Sequence, residues 1–432
     1  MGRAKYLLAL AIVLIGLWTC ERLNTPYSTT EVELAIQGTG VTEAWLRLKV
    51  SELKADSEVE VAREDTVIFR CGDFNGDTLI YDSGLAPAQE YRYRVYVTGS
   101  GKHVEAYSVR LTTMDTTSHD FQWEVVEFPS PFGSGALYDV AIINENDIWA
   151  VGEIYADSAQ PWLPYNAVHW DGRKWELRRI YFYLCPNGNS PTPFPIQAIY
   201  AFATDDIWFT RGGSIVHWDG SNFIHDCSIN SVINGSIYKL WGTDSNNLYA
   251  VGANGTIAHY DGVSWRLLES GTELPIQDIW GGIDPQTGEE MVICVASRYL
   301  YNQGKKLLQI QGNRVKELPA EGLPWSLKSI WFIPGLVYYV AGDGLFFSRD
   351  LTETWKQLPS PLLYKHAIRG QALNDVIVVG YKLLSHFNGV NWHHYTDDQL
   401  PAALYNAVAI KGNLVVAMGL QGGRVIITIG RR

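Results

Sequence analysis

The sequence has few lysines and arginines, and we expect no basic cluster beyond its first few positions. Its 432 residues include 34 Lys and Arg against 46 Asp and Glu, so that the formal net charge at pH 7 is −12. Proteins that bind nucleic acids neutralise backbone phosphates with a basic surface patch. We therefore expect no nucleic-acid partner.

Cysteine is scarce, and the common catalytic and metal-binding motifs are missing. The five cysteines show no C-x-x-C spacing, which argues against a zinc or redox site. The sequence contains no G-x-S-x-G, Walker, H-E-x-x-H or EF-hand motif. We expect no cofactor, no metal and no enzyme activity. A disulfide between Cys185 and Cys227 is conceivable in an oxidising compartment, and the sequence leaves this pairing open.

Long hydrophobic runs are confined to the N-terminus. The basic start Met-Gly-Arg-Ala-Lys is followed by an apolar run from Tyr6 to Trp18 and then by Cys20. A run of this length is typical of a secretory signal rather than a membrane span. The position of Cys20 resembles that of the acylated cysteine in bacterial lipoproteins. The resemblance implies a lipoprotein-type signal peptide at residues 1–20, a polar tether at 21–30, and an exported protein anchored by lipid on Cys20 to the periplasmic or outer side of the cell envelope.

Short segments rich in Val, Ile and aromatic residues, separated by Gly, Asp and Ser, make up the rest of the chain and predict β-strands. Between residues 31 and 116 they predict a β-sandwich. There Leu85, Pro87 and Tyr91 form an L-x-P-x-x-x-Y arrangement. It resembles the tyrosine corner of fibronectin type III domains, in which a tyrosine hydroxyl satisfies a backbone group. The resemblance implies an immunoglobulin-like (fibronectin type III) sandwich.

From residue 121 to 432 the chain repeats a pattern of four strands. The copies begin at residues 137, 196, 237, 276, 327, 366 and 404, and a period of about 40 residues is that of a β-propeller blade. The last copy stops after its third strand, while the segment around Trp123 has the pattern of a fourth strand. We therefore predict an all-β chain in which the sandwich is followed by a seven-bladed β-propeller closed by its N-terminal strand.

A hairpin signal recurs between the third and fourth strands of these copies. Asp-Gly stands at 171–172, 219–220 and 261–262, and Asn-Gly at 388–389; these residues tolerate the positive φ of a tight turn. A histidine precedes each turn at one repeat position, so that the four side chains belong to separate blades and cannot converge on one ion. We expect them to be scaffold: His169, His217, His259 and His386.

Residues 348–355 resemble the Asp-box of sialidase-type propellers, in which an Asp caps the turn and a Trp packs between blades. Thr352 stands where that motif usually has glycine. Taken together, residues 121–432 resemble the Asp-box (BNR-type) and photosystem-assembly-factor-like propellers of exported bacterial proteins.

Two unusually long connections are the predicted binding surface. Residues 153–166 join the second and third strands of the first copy, and residues 181–195 lead to the second copy. The order of strands in a blade predicts that both emerge side by side on one face. Aromatic residues in such loops supply contacts for a partner: Tyr155, Trp162, Tyr165, Tyr181, Tyr183 and Phe194.

These features favour a non-catalytic cell-envelope binding or assembly scaffold, whose partner is an envelope protein or a glycan. One alternative is a glycan-acting hydrolase or lyase on a sialidase-like propeller, and another is a structural spacer of a surface layer. Sialidases on this fold need an arginine cluster and a Tyr-Glu nucleophile pair, and no Arg recurs at matching strand starts. Converging carboxylates in a central pocket would favour the enzyme, whereas an aromatic-rich face would favour binding.

Overall fold

The structure is a computed structural model that describes residues 30–183, 190–285, 287–298, 304–359, 364–396 and 398–432. The predicted signal peptide, Cys20 and nearly all of the tether lie outside these residues. Cys227 is disulfide-bonded, and Cys185, with which the sequence left a pairing open, also lies outside them. In the described parts of the chain, no helix has the length and apolar character needed to cross a membrane.

The chain divides into two compact units. Of the described residues, the first unit contains 30–39 together with Glu43–Thr113, and the second contains Gly40–Thr42 and those within Met114–Arg432. Each unit has its own hydrophobic core.

Two antiparallel sheets form the first unit, with strand orders β1-β2-β5 and β4-β3-β6-β7. Alternating apolar residues of both sheets meet in one core that contains Leu46, Val61 and Tyr93. The hydroxyl of Tyr91 accepts a hydrogen bond of 2.8 Å from the backbone N–H of Ala86, which is the contact that a tyrosine corner makes. The strands are β1 (Glu31–Thr39), β2 (Glu43–Ser51), β3 (Glu58–Arg63), β4 (Thr66–Gly72), β5 (Gly76–Ser83), β6 (Glu90–Gly99) and β7 (Lys102–Thr112).

In the part of the second unit that the structure describes there are seven four-stranded antiparallel sheets, and we call them blades 1 to 7. Blade 1 has β9 (Ala136–Asn144), β10 (Asp147–Ile154), β11 (Tyr165–Trp170) and β12 (Trp175–Arg178); blade 2 has β13 (Ala198–Ala203), β14 (Asp206–Arg211), β15 (Ser214–Trp218) and β16 (Phe223–Asp226); blade 3 has β17 (Ile237–Asp244), β18 (Asn247–Gly252), β19 (Ile257–Tyr260) and β20 (Trp265–Leu267). Short 3-10 helices lie at Ser228–Ser231 and Ala253–Gly255.

The remaining blades follow the same order. Blade 4 has β21 (Ile276–Ile283), β22 (Glu290–Ser297), β23 (Lys305–Gln311) and β24 (Arg314–Leu318); blade 5 has β25 (Leu327–Ile333), β26 (Val337–Gly342), β27 (Gly344–Ser348) and β28 (Lys356–Leu358); blade 6 has β29 (Lys365–Ala372), β30 (Asp375–Gly380), β31 (Leu383–Phe387) and β32 (Trp392–His394); blade 7 has β33 (Leu404–Lys411), β34 (Leu414–Gln421), β35 (Arg424–Arg431) and β8 (Gln122–Phe128).

The blades succeed one another around a common centre. The first strand of each blade contacts the first strand of the next, in the order β9, β13, β17, β21, β25, β29 and β33, and β33 contacts β9 again. The outer position of blade 7 is taken by β8, whose residues Gln122 to Phe128 pair with Arg431 to Val425 of β35. The all-β prediction is confirmed.

The strand register differs from the predicted one in the last two copies. In blade 1, Leu137 faces Gly152, and the equivalent pairs are Lys365 with Gly380 and Tyr405 with Gly419. The sixth and seventh copies therefore begin at residues 365 and 405, one position from their predicted starts. A Cβ on Gly152 would lie 2.1 Å from the carbonyl oxygen of Ala136, so this pairing requires glycine.

The predicted Asp-Gly hairpins are confirmed. The Asp171 carboxylate accepts hydrogen bonds of 2.9 Å from the N–H groups of Arg173 and Lys174, and Gly172 has φ +86°. Asp219, Asp261 and Asn388 make the same pair of contacts in blades 2, 3 and 6. These backbone hydrogen bonds lower the pKa of Asp171.

The four repeated histidines are held within their own blades. His169 Nε2 lies 2.9 Å from Asp147 Oδ1, and its ring stacks on Trp149 at 4.0 Å. The indole N–H of Trp149 donates to the same carboxylate at 3.0 Å. Equivalent pairs join His217 to Asp206, His259 to Asn247 and His386 to Asp375. Within the described residues, no group of three or more His, Cys, Asp or Glu side chains is placed to hold a metal ion.

The Asp-box-like turn has the contacts that the resemblance implies. Asp350 Oδ1 accepts hydrogen bonds of 2.8 Å from both the N–H and the hydroxyl of Thr352. Trp355 is buried in the core shared by blades 4 and 5. Thr352 therefore supports the turn in place of the usual glycine.

Candidate functional site

The described parts of the two long connections of the predicted binding surface lie side by side, while residues 184–189 of the second connection lie outside the described residues. Asn166, which is fully buried, links them: its side-chain N–H donates to the carbonyl oxygens of Ile180 at 2.6 Å and Phe194 at 2.9 Å. Its side-chain oxygen accepts a hydrogen bond of 2.8 Å from the N–H of Ile180. A single side chain thus fixes the base of both connections.

Arg179 holds the first connection from the side. Its guanidinium lies over the ring of Tyr165 at 4.3 Å and donates to Asp157 at 3.0 Å. It also donates to the carbonyl oxygens of Leu163 at 3.1 Å and Pro164 at 3.3 Å. The loop is therefore ordered by an ion pair and by hydrogen bonds to its own backbone.

The six aromatic residues predicted to bind divide into two groups. Tyr165 packs beneath Arg179, Phe194 lies under Arg211 at 3.9 Å, and the hydroxyl of Tyr155 donates to Glu153 at 2.7 Å. Burial and the Glu153 carboxylate raise the pKa of Tyr155 to about 12. The other three present their rings to solvent: Trp162 is 70%, Tyr181 44% and Tyr183 39% exposed.

A ring of polar side chains lies at the start of the inner strands, on the same face as these loops. Each blade contributes one residue. It directly follows the buried residue that is equivalent to Leu137 at the start of the inner strand of blade 1. Each is at least partly exposed although the residue before it is buried. We call this set the rim: Tyr138, Gln197, Tyr238, Gln277, Lys328, His366 and Asn406.

Contacts join neighbouring members of the rim. Lys328 donates to the side-chain oxygen of Gln277 at 3.1 Å, His366 is hydrogen-bonded to Asn406, and Asn406 donates to the carbonyl oxygen of Leu137 at 3.2 Å. Glu153 connects the rim to the loops, because it accepts hydrogen bonds from Tyr138 at 2.5 Å and from Tyr155 at 2.7 Å. The rim and the aromatic loops form one continuous surface.

A cavity of about 340 Å³ lies among the inner strands of blades 1, 2, 3, 4, 6 and 7. Asp139, Lys239 and Arg369 line it; Asp139 pairs with Lys239, and Arg369 pairs with Asp278. Asp139 also accepts a hydrogen bond from the N–H of Ile199 in blade 2, and Asp278 accepts one from the N–H of Ile330 in blade 5. These pairs link blade 1 to blade 3 and blade 4 to blade 6, and both are engaged within the protein.

The charge of the rim is set by its two basic members. Burial lowers the pKa of Lys328. Burial and the neighbouring Lys328 charge lower the pKa of His366 to about 4. His366 is therefore neutral at pH 7, and the rim offers amides, hydroxyls, this imidazole and the Lys328 amine.

Sequence reasoning missed both the rim and a basic cluster in blade 1. The rim residues share a repeat position but no chemistry, so that only the strand register could have revealed them. The basic cluster was visible in the sequence, because four of the seven residues 173–179 are Arg or Lys. The expectation that no such cluster exists beyond the N-terminus was wrong.

Comparison with known proteins is limited to solved structures, since no family model and no curated protein matches the sequence. A structure of YCF48 bound to D1 peptide aligns with a TM-score of 0.53 and 16% identity, covering 74% of this chain and 100% of that chain. The β-propeller domain of Myceliophteria thermophila Cps50 (Swd1) aligns with a TM-score of 0.46 and 12% identity, covering 69% and 97%. Together with the ring of four-stranded sheets, the likeness to YCF48 confirms the predicted fold, a β-propeller.

Proposed function

We propose that this protein is a non-catalytic binding scaffold of the bacterial cell envelope, exported and anchored by a lipid on Cys20. Its propeller binds an envelope protein through residues 153–166, 181–195 and the rim. The observation that carries the proposal is the Glu153 bridge, which joins the exposed aromatic loops to the polar rim. Exposed aromatic anchors beside hydrogen-bonding groups are the composition of a binding hot spot.

The proposal includes a fibronectin type III-like sandwich and a seven-bladed propeller closed by β8. The three-stranded sheet facing a four-stranded one, and the Tyr91 contact, support the first part. The pairing of β8 with β35 and the contact of β33 with β9 support the second.

A peptide segment is the favoured partner over a glycan at this face. Gln277 and Asn406 of the rim carry amides that use only part of their hydrogen-bonding capacity on Ser297, Lys328 and Leu137. The remaining donors and acceptors are of the kind that pairs with a peptide backbone. YCF48, the propeller to which this chain is similar in fold, is bound to a peptide in its structure.

Anchoring is tested by Cys20→Ala. The variant should move from the membrane fraction to the soluble exported fraction, because a lipid chain attached to Cys20 would be the anchor. Fractionation with immunoblotting measures the shift, and mass spectrometry of the wild-type mature terminus should find an acylated Cys20. An unmodified terminus would contradict the lipid anchor.

The binding face is tested by photo-crosslinking in cells. A photoreactive phenylalanine analogue in place of Trp162 should form a covalent adduct of defined mass with an envelope protein. Tyr183→Ala, added to this variant, should reduce the yield of the adduct, because loss of an interface aromatic anchor typically costs about 2 kcal/mol or more of binding free energy. The melting temperature should not change, since both side chains are exposed.

Val263 provides the matched control position for the photoreactive group. It is 87% exposed and lies in the turn between β19 and β20 of blade 3, away from the loops. The same adduct from both positions would mean that random collision explains the crosslink. An adduct with glycan rather than protein would transfer the proposal to a glycan partner.

A further inference from the structure

A second candidate site lies between blades 1 and 2, apart from the rim. A cavity of about 350 Å³ opens there, within the range of small-ligand sites. Trp149 and His169 of blade 1 and Trp218 and Phe223 of blade 2 line it, with Arg178 and Arg179 at its edge. We call this cavity the groove.

The groove is open because blade 2 departs from the pattern of its neighbour. Phe223 pairs with Trp218 as Trp265 pairs with Tyr260 in blade 3. Trp265 is 5% exposed and donates its indole N–H to Asp226 of blade 2 at 2.7 Å, which covers the next interface. Phe223 has no such donor and is 38% exposed.

The residue opposite differs as well. Arg178 occupies in blade 1 the register position of Asp226 in blade 2, because Ala167 pairs with Arg178 as Ile215 pairs with Asp226. At this position blade 2 has a carboxylate that accepts the indole N–H of Trp265, whereas blade 1 has the guanidinium of Arg178. Asp226 and Trp265 cover the interface between blades 2 and 3. The equivalent residues Arg178 and Phe223 leave the interface between blades 1 and 2 open.

Aromatic rings form the walls of the groove. His169 stacks on Trp149 at 4.0 Å, and Phe223 lies against Trp218 at 4.7 Å. The equivalent Trp208 in blade 2 is only 4% exposed, whereas Trp149 is partly exposed. Each exposed ring face carries partial negative charge, which attracts the polarised C–H groups of a sugar ring.

The groove is lined by two guanidinium groups, those of Arg178 and Arg179, and by one carboxylate, that of Asp147. Lys174 and Arg178 both pair with the single carboxylate of Glu176. Their side chains are 66% and 50% exposed, in a chain whose net charge is −12. A ligand with carboxylates complements this edge, since guanidinium binds carboxylate with two parallel hydrogen bonds.

We propose that the groove binds an oligosaccharide of the uronic-acid class. The sugar rings stack on Phe223 and Trp149, and a sugar carboxylate pairs with Arg178. The paired ring faces favour a sugar over an acidic peptide, because Asp and Glu side chains offer no flat apolar face. This inference goes beyond the proposed function, which concerns a protein partner at the loops and the rim.

Calorimetric titration of the full-length protein in detergent with tetragalacturonate tests the inference. We expect the free acid to bind about tenfold more tightly than its methyl ester. Phe223→Ala should weaken binding by about tenfold, through lost stacking. Arg178→Gln should abolish the preference for the free acid, and Leu267→Ala is the control because Leu267 lies on the outer strand of blade 3 and is 51% exposed.

A second test introduces the residue pair of the covered interface into the groove, and so does not depend on shortening a side chain to alanine. The double variant R178D/F223W places in blades 1 and 2 the pair that covers blades 2 and 3. It should lose tetragalacturonate binding while keeping its melting temperature. A variant with unchanged binding would overturn the assignment of the groove.

The remaining outcomes decide between ligands and between sites. Absence of tetragalacturonate binding, or equal affinity for the free acid and the ester, would overturn the inference. Equal affinity for tetraglutamate would replace the sugar by an acidic peptide. Trp162→Ala should leave the titration unchanged, so that failure of the crosslinking experiment at the loops and failure of the groove remain distinguishable.

Discussion

Replacing Arg369 by methionine should lower the free energy of unfolding of the second unit by about 3–5 kcal/mol, the typical cost of breaking a buried ion pair. Arg369 is 9% exposed and donates to both oxygens of Asp278 at 2.8 Å. Asp278 is 3% exposed, so the variant leaves a buried carboxylate without its cation. Chemical denaturation followed by tryptophan fluorescence measures the loss.

The control for this variant is Arg424→Met. Arg424 pairs with Glu127 at 2.5 Å, but the side chains are 64% and 43% exposed. A surface pair of this kind contributes about 0–1 kcal/mol. Adding Asp278→Asn to Arg369→Met should recover part of the loss, because the amide is neutral and its oxygen can still accept the N–H of Ile330. Equal losses for Arg369→Met and Arg424→Met would contradict the importance of the buried pair.

The same variant should change the pH dependence of stability. Burial alone would raise the pKa of Asp278, but the charge and hydrogen bonds of Arg369 outweigh it and hold the pKa below its usual range. The wild-type contribution is therefore present above about pH 4, near the unfolded pKa, and is lost as the pH falls through the folded value. Without Arg369, burial raises the pKa, so the carboxyl gains a proton earlier. The difference between the two proteins should be largest at pH 7 and shrink towards pH 4.5.

Local turns and strands were predictable because their causes lie within a few residues. Asp171 and Gly172 specify their hairpin because the carboxylate accepts the N–H groups two and three residues further on and the glycine adopts a positive φ. The two long connections were also predictable as neighbours, since the strand order of a blade places them on one face. What the sequence did not reveal was Asn166, because one buried amide among polar loop residues has no distinguishing pattern.

The rim and the groove depend on register and on comparison between blades. Lys365 stands where other copies have an apolar residue, so the sequence pattern placed the start of blade 6 one position too late, at residue 366. The groove exists because blade 2 lacks a tryptophan at position 223 and has a phenylalanine there, whereas blade 3 has Trp265 at the equivalent position. Such a difference has meaning only when the facing residue, Arg178, is known.

Removing β8 should abolish the cooperative unfolding of the second unit. We compare two variants carrying the same exogenous signal peptide, one starting at residue 116 and one at residue 130. The shorter variant lacks β8, so Val425, Ile427 and Ile429 of β35, which are fully buried, would lie at an open sheet edge. An exposed apolar edge strand pairs with other chains. We expect aggregation, or a broad melting curve in place of a single transition.

The longer variant is the matched control, because both lack the first unit and differ only in residues 116–129. It keeps β8 and the segment before it, where the hydroxyl of Tyr395 donates to the carbonyl oxygen of His119 at 2.7 Å and Arg432 donates to that of Ser118 at 3.2 Å. It should melt in one transition. A synthetic peptide of residues 116–129 should restore that transition to the shorter variant, since the missing strand would then be supplied in trans. Equal melting of the two variants would contradict closure by β8, because the exposed edge of β35 would then have no measurable cost.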